Sequence, residues 1–255
     1  ADGASGGGYA AVTDVTGGWA QINVQGPRSR DVLAAATDTD MSDGAFPFRA
    51  ARQIAVGCAP LLATRITYVG ELGYELFVPT EAAVHVYDRL MEVGSAHGLT
   101  HVGLKALGSL RMEKGYRDYG HDLDNLDTLL EAGLGFTADF EKERGFVGME
   151  PTLRQKAAGT PTRRLLQVAL TVASPLLYHG EVVYRDGRIV GDVRAASYGH
   201  TLGAAVGLTM VEATEPITPK WIAAGEWEVD IAGTRYPARA SLRPMYDPKN
   251  EKIKA

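Results

Sequence analysis

Short alternations of apolar and polar residues, separated by glycine-rich turns, run along much of the chain. Residues 19–24 (WAQINV) alternate in this way and predict a strand that ends at a turn, Gln25-Gly26-Pro27. Two β-rich stretches at 63–69 and 74–78 flank residues 69–73, which are typical of a hairpin loop. The first part of the chain is therefore predicted to contain several short strands.

Helices are predicted where apolar residues recur at spacings of three and four. The first begins near Pro27 and ends at about Ala36. Thr80 is a good N-cap for the second. The apolar positions of this second helix are Val84, Tyr87, Leu90 and Met91. A third helix covers 104–114.

From about residue 163 the segments become short, β-branched and separated by turns. Residues 181–185 and 188–193 flank Asp186-Gly187, a strong two-residue hairpin signal. A second pair, 226–231 and 235–240, flanks another short turn. Two hairpins without a convincing helix predict an all-β domain, a small barrel or a sandwich.

Composition narrows the functional classes. The chain has 255 residues, 45% of them apolar, and a formal net charge of −5. That charge argues against binding nucleic acid through bulk positive charge. A single cysteine, Cys58, excludes an intramolecular disulfide and a multi-cysteine metal site. No apolar run approaches the ~20 residues that span a bilayer, so we expect no membrane segment. We expect a cytoplasmic protein.

Standard catalytic and metal motifs are absent from the sequence. It contains no P-loop, no dinucleotide-binding glycine pattern, no G-x-S-x-G and no H-E-x-x-H. Asp122 opens a run that resembles a calcium loop, but Leu126 and Asp127 stand where a ligand oxygen and a glycine are needed. We therefore predict no metal site.

Two charged residues in apolar patterns are candidates for function. Glu75 stands in a β-rich run beside Tyr74, so it either faces solvent on a half-exposed strand or accepts two N–H bonds from a heterocycle beside Tyr68. Arg111 lies on the apolar side of its helix and requires an acid partner or a route to solvent, in a structural or a ligand role. Nearby Lys114 and Arg117 are expected to be surface charges.

Five segments, in order, resemble the glycine-cleavage T-protein (aminomethyltransferase) family. They are INVQGPRSRDVL at 22–33, YVGELGYEL at 68–76, GLKALGSLRMEKG at 103–115, EAGLGF at 131–136 and FVGME at 146–150. Without the resemblance, the last two segments suggest only a turn, a strand and another turn. The closer resemblance is to the folate-binding C-terminal half of sarcosine and dimethylglycine dehydrogenases or oxidases. Three segments carry it: LRMEK, the DYGHDL that follows, and LRPMYDP near the C-terminus.

The resemblance implies an α+β protein, in which a mixed α/β folate-binding domain precedes a small all-β barrel domain. We expect a flexible glycine-rich N-terminus at 1–16, the folate-binding domain at 17–158 and the barrel at 162–255. The first residue is Ala1, and the family's N-terminal segment, which carries the aspartate that promotes transfer, is expected to be missing. The catalytic residue is therefore unknown.

Site residues follow from the resemblance only at matching positions. Glu75 matches the acid that binds the amino edge of the pterin, and Tyr68 matches the tyrosine that lines the same pocket. Tyr116 and Phe136 match aromatic residues at or beside the folate. Leu107 stands where T-proteins carry a folate-contacting arginine, a departure that favours the flavoprotein branch.

The resemblance implies tetrahydrofolate as cofactor and FAD only in an absent upstream domain or partner. The expected function is tetrahydrofolate-dependent one-carbon transfer, as the folate-binding part of an N-methyl-amine-oxidising flavoenzyme or as an aminomethyltransferase. The expected partner is a flavin-binding oxidase domain or subunit, with neither nucleic acid nor membrane. The alternative is a non-catalytic folate-binding module or a truncated remnant that acts through a partner chain.

Overall fold

A computed structural model of the chain describes residues 10–255, so most of the predicted flexible N-terminus lies outside the described residues. The chain divides into two compact units. The first comprises the described residues up to Thr67, with Glu71–His101 and Lys252–Ala255. The second comprises Tyr68–Gly70 and Val102–Glu251. The predicted domain limits stay a prediction.

The first unit contains a four-stranded antiparallel sheet and two helices. Along the sheet the strands lie in the order β1-β4-β3-β2. The elements are β1 (Trp19–Gln25), α1 (Ser29–Ala36), β2 (Ala51–Val56), β3 (Ala59–Thr64), β4 (Gly73–Pro79) and α2 (Ala83–Gly94). Apolar residues of both helices and of one face of the sheet form the core of this unit. The other face of the sheet is thereby left to more polar residues.

Several predictions for the first unit are confirmed and others are wrong. The strand at 19–24, the helix ending at Ala36 and the strand at 74–78 are confirmed. The predicted strand at 63–69 is wrong beyond Thr64, and β2 was not predicted. In α2, Leu90 of the predicted apolar stripe is buried, but Val84 is 72% exposed and the buried Val86 was not predicted.

The second unit is built around a closed barrel of six antiparallel strands, in the order β10-β5-β8-β7-β6-β9. The strands are β5 (Arg163–Leu170), β6 (Val182–Arg185), β7 (Arg188–Gly199), β8 (Ala204–Glu212), β9 (Trp227–Ile231) and β10 (Thr234–Ser241). The helices are α3 (Leu104–Glu113), α4 (Met149–Ala157) and α5 (Pro219–Ala223). Both predicted hairpins and the α+β fold with a C-terminal barrel are confirmed.

Successive side chains of β5 point alternately into two hydrophobic clusters of the second unit. Leu166, Val168 and Leu170 pack in one cluster with residues of the other barrel strands. Leu165 and Ala169, on the opposite face of β5, pack with Met112 of α3. This second cluster fixes the end of α3 against the barrel. The strand predicted within the segments EAGLGF and FVGME is wrong, because they form turns and the start of α4.

Within residues 10–255, no helix combines the length and the apolar character that crossing a bilayer requires. In the same range, no three or more histidine, cysteine, aspartate or glutamate side chains cluster as metal ligands would.

Candidate functional site

Glu75 lies on the face of the first unit's sheet that points away from the core. Alternate residues of β4 are buried in the core, which leaves Glu75 and Phe77 on the opposite face. Across the strand pair, Asn23 is the register partner of Glu75, and Gln21 is that of Phe77. These four residues give the face a carboxylate, two amides and an aromatic ring.

The Glu75 carboxylate is partly withdrawn from water. Burial raises the pKa of Glu75 above its ordinary value, and a hydrogen bond from the Gln21 side chain partly opposes that rise. A carboxylate has about four lone-pair sites, so one hydrogen bond leaves capacity for N–H donors. Partial burial with remaining acceptor capacity is what the heterocycle-binding interpretation of Glu75 requires.

Gln25 adds a second acceptor on the same face. Its Nε2 donates to the Tyr74 carbonyl at 3.4 Å, whereas its Oε1 is buried and has no hydrogen-bond partner among the described residues. Gly73 is its register partner, and a Cβ at position 73 would lie 1.8 Å from that Oε1. Glycine at 73 therefore makes room for the Gln25 amide. Glu75 and Gln25 thus both contribute side-chain oxygens to this face of the sheet.

Tyr68 and Tyr116 form a stacked pair in the second unit. Their ring centroids lie 5.7 Å apart and their planes differ by 9°. The Tyr68 hydroxyl donates to the Arg117 carbonyl at 3.0 Å. Burial raises the pKa of both hydroxyls, and with a smaller contribution from the charge of Asp247 the pKa of Tyr116 reaches about 12. Both tyrosines are therefore neutral at physiological pH.

A buried ion pair supports this stack. Arg111 of α3 donates through Nη1 to Asp122 Oδ2, and through the same nitrogen to the Tyr116 carbonyl at 3.1 Å. The backbone N–H of Asp118 donates to the same Asp122 oxygen at 2.7 Å. The Asp122 side chain is fully buried. Of the two alternatives predicted for Arg111, an acid partner or a route to solvent, the structure shows the acid partner, Asp122, which the sequence did not identify.

The prediction of surface charges at Lys114 and Arg117 is wrong. Lys114 is 1% exposed and donates to the Asp247 carboxylate at 2.8 Å and to the Asp247 carbonyl at 2.6 Å. Arg117 donates to the carbonyls of Ala132, at 3.2 Å, and Gly115, at 2.6 Å. Lys114 is enclosed by Asp247, 133 residues along the chain, and Arg117 contacts Ala132, 15 residues along the chain. The residues next to each cation in the sequence therefore did not predict its burial.

The structure brings together two of the four residues expected to bind folate. Tyr68 and Tyr116 are in contact in the second unit. Phe136 belongs to the same unit, in a single 3₁₀ turn (Gly135–Thr137), and is 82% exposed. Glu75 belongs to the first unit. The sequence analysis placed Gln25 in the turn after the first strand and so did not identify its side chain as part of this face, whereas the structure includes it as the last residue of β1.

Comparisons with known proteins identify relatives of the chain. The chain is 41% identical over 245 residues to a 4-methylaminobutanoate oxidase (formaldehyde-forming) of Paenarthrobacter nicotinovorans, covering 96% of this chain and 29% of that protein. It is 36% identical over 236 residues to the mitochondrial sarcosine dehydrogenase of Mus musculus, covering 91% of this chain and 25% of that protein. The chain thus spans less than a third of the length of these relatives.

A solved structure shares the fold. The glycine cleavage system aminomethyltransferase T from Bartonella henselae superposes with a TM-score of 0.74 at 22% identity, covering 90% of this chain and 60% of that chain. Residues 163–247 match the family model of the glycine cleavage T-protein C-terminal barrel domain. Residues 3–142, more than half of the chain, match that of the GCVT N-terminal domain. The resemblance seen in the sequence is confirmed, and the chain belongs to the glycine cleavage T-protein (GCVT) family.

Proposed function

We propose that the chain binds tetrahydrofolate and serves in folate-dependent one-carbon transfer, as the folate-binding part of an N-methyl-amine-oxidising flavoenzyme. The observation that carries the proposal is the half-buried Glu75 carboxylate on the polar face of the first unit's sheet, with the amides of Asn23 and Gln21 on the same face. Membership of the GCVT family and the oxidase and dehydrogenase names of two relatives support it.

Each residue has a defined task in this proposal. Glu75 accepts N–H bonds from the amino edge of the pterin, and a charged acceptor strengthens such bonds. Tyr68 and Tyr116 present neutral aromatic rings to the ligand, and Phe136 offers a further ring. Bound tetrahydrofolate supplies the nitrogen that receives the one-carbon unit. The protein contributes by holding the ligand in place and away from water.

Oxidation of the amine is assigned to a flavin-binding oxidase domain or subunit. The two oxidising relatives are more than three times as long as the stretch that this chain matches. The site that binds the amine substrate is assigned to the same flavin-binding part. A cytoplasmic location stays a prediction.

The first test is a calorimetric titration of the purified chain with tetrahydrofolate. Glu75→Gln should weaken binding by about 1–3 kcal/mol, the usual loss when a hydrogen bond to a charged acceptor is removed. Glu81→Gln is the matched control, since Glu81 is an exposed glutamate of the same unit. Equal affinities for the Glu75 and Glu81 variants would refute the role of Glu75.

The aromatic residues are tested by their own variants, because they belong to the second unit. Tyr68→Leu, Tyr116→Leu and Phe136→Leu should each weaken tetrahydrofolate binding, since a stacked ring contributes about 0.5–1.5 kcal/mol beyond its buried area. Unchanged affinity in all three would remove these residues from the proposed site.

Turnover separates the transfer function from a non-catalytic folate-binding module. A flavin-binding oxidase polypeptide, the N-methyl amine and tetrahydrofolate are combined with the chain. Folate-dependent capture of the one-carbon unit should fall when Glu75→Gln replaces the parent chain. Tight folate binding with no such capture would favour the non-catalytic module instead.

A further inference from the structure

The segment Lys252–Ala255 belongs to the first unit, although it forms neither a helix nor a strand. Three of its four residues are exposed, whereas Ile253 is only 5% exposed. A segment that offers one buried side chain and no backbone ladder opens at a lower cost than the core of its unit. Opening of this segment without unfolding of the unit is therefore expected.

Arg65 binds this segment through the backbone of the segment. The Arg65 side chain is completely buried. Its Nη2 donates to the carbonyls of Lys254, at 3.0 Å, and Ala255, at 2.8 Å. Its Nη1 donates to the Asp43 carboxylate and, at 2.8 Å, to the Phe46 carbonyl. Two of these four acceptors therefore belong to the segment.

Opening of the segment would leave a buried cation with fewer acceptors. The Arg65 Nε is already buried without a hydrogen-bond partner among residues 10–255. Without the two carbonyls, the guanidinium would keep its contacts with Asp43 and Phe46. A buried charge that loses hydrogen bonds is strongly unfavourable, so the Arg65 side chain must shift toward water when the segment opens. The segment and the position of Arg65 are thus coupled.

The backbone of Arg65 directly follows β3, the strand that pairs with β4 beside Glu75. The Arg65 N–H donates to the Ala50 carbonyl at 2.9 Å, and the Arg65 carbonyl accepts from the Arg49 N–H at 2.9 Å. One residue earlier, Thr64 is the register partner of Glu75, and its hydroxyl lies 3.5 Å from the Glu75 carbonyl oxygen. A displacement of Arg65 therefore reaches the backbone of Glu75 through contiguous contacts within one unit.

We propose that Lys252–Ala255 is a strap that holds Arg65 in place, and that Arg65 is a positioning residue for Glu75. With the strap closed, Glu75 keeps the position that the proposed folate site uses. With the strap open, the end of β3 loosens and the affinity for tetrahydrofolate falls. The effect on affinity rests on the proposed function, whereas the coupling of the strap to the Glu75 backbone does not.

Hydrogen exchange of the ligand-free chain, followed by mass spectrometry, tests the coupling. Ile253→Ser removes the buried side chain of the strap, and Lys254→Ser, at its exposed neighbour, is the matched control. Ile253→Ser should speed exchange by at least about fivefold, the lower end of an ordinary coupling, in peptides from the strap and from residues 64–75.

Peptides from α2, whose Val86 and Leu90 lie in the core, should exchange at the parent rate in both variants. Faster exchange of the strap alone would overturn the coupling to Glu75. Equally faster exchange in α2 would overturn it as well, because it would report a general loss of stability of the unit. A strap that exchanges at the parent rate in Ile253→Ser would refute the role of Ile253 in holding it.

Calorimetric titration with tetrahydrofolate tests the positioning role. Ile253→Ser and Arg65→Met should each weaken binding by at least about fivefold, with Lys254→Ser at the parent affinity. The double variant should bind no more weakly than Arg65→Met, because both changes act through one route. Losses that simply add would overturn the route through Arg65.

The titration separates failure of the strap from failure of the proposed function. A parent chain that does not bind tetrahydrofolate would refute the proposed function, and the exchange experiment alone would then decide the strap. A parent chain that binds, with Ile253→Ser at the same affinity, would refute the positioning role. Ile253→Ser decides this outcome even if Arg65→Met does not fold, since it leaves the buried cation intact.

Discussion

Removal of the Lys114 charge should destabilise the second unit strongly. Lys114 and Asp247 form a pair whose side chains are 1% and 5% exposed, with the ammonium donating to both the carboxylate and the carbonyl of Asp247. Lys114→Met keeps the aliphatic stem but leaves the buried carboxylate without this cation. Deleting one partner of a buried pair costs about 3–5 kcal/mol.

The structure places this loss toward the lower end of that range. Asp247 Oδ1 still accepts the backbone N–H of Glu251 at 2.8 Å, so part of the carboxylate's hydrogen bonding survives. We therefore expect a loss of about 3 kcal/mol in the free energy of unfolding. The double variant Lys114→Met with Asp247→Asn should lose less than Lys114→Met alone, because no buried charge remains.

Urea denaturation followed by tryptophan fluorescence measures this loss. Trp221 and Trp227 lie in the second unit and report on it. Lys105→Met is the control, since Lys105 is an exposed lysine of α3, the helix that ends just before Lys114. If Lys114→Met unfolds within about 1 kcal/mol of that control, the pair does not contribute as a buried ion pair should.

The same pair gives a second, spectroscopic readout. The charge of Asp247 is the smaller of two causes that raise the pKa of Tyr116 to about 12, after burial. Asp247→Asn should therefore lower the pKa of Tyr116. The shift is measured by tyrosinate absorbance, with Tyr116→Phe identifying the signal. An unchanged Tyr116 titration would contradict the proximity of the two groups.

Two further predictions concern backbone space and a partly buried charge. Gly191→Ala should destabilise the barrel by about 1–3 kcal/mol, because its Cβ would lie 2.1 Å from the Met210 carbonyl oxygen. Gly108→Ala, in the open interior of α3, should instead stabilise the chain by about 0.5–1 kcal/mol. Urea midpoints compare the two, and losses of equal size would refute the steric argument. Glu75→Gln should raise the melting temperature at neutral pH, since burial raises the pKa of Glu75 and thus disfavours its charged form. This advantage should disappear as the pH falls through that pKa and the parent carboxyl becomes neutral; an advantage that persists in acid would refute it.

Local sequence was sufficient to predict structure where the residues of one short segment themselves determine its conformation. Asp186 and Gly187 both adopt positive φ, 51° and 73°, as a two-residue hairpin turn requires, and the turn was predicted from these two residues. The alternation of β1 likewise predicted a strand. For Arg111, a charged group on an apolar helix face predicted an acid partner or a route to solvent, and the structure shows the acid partner.

Tertiary structure decided which acid pairs with each buried cation and which face of a helix is buried. Asp122, eleven residues after Arg111, becomes its partner only through the turn that follows α3. Lys114 is buried because Asp247 lies against it, 133 residues along the chain. A helix with apolar residues at neighbouring positions, such as Val84 and Val86, buries whichever side the sheet covers. Periodicity and turn chemistry are properties of adjacent residues, whereas burial depends on what the rest of the chain packs against them.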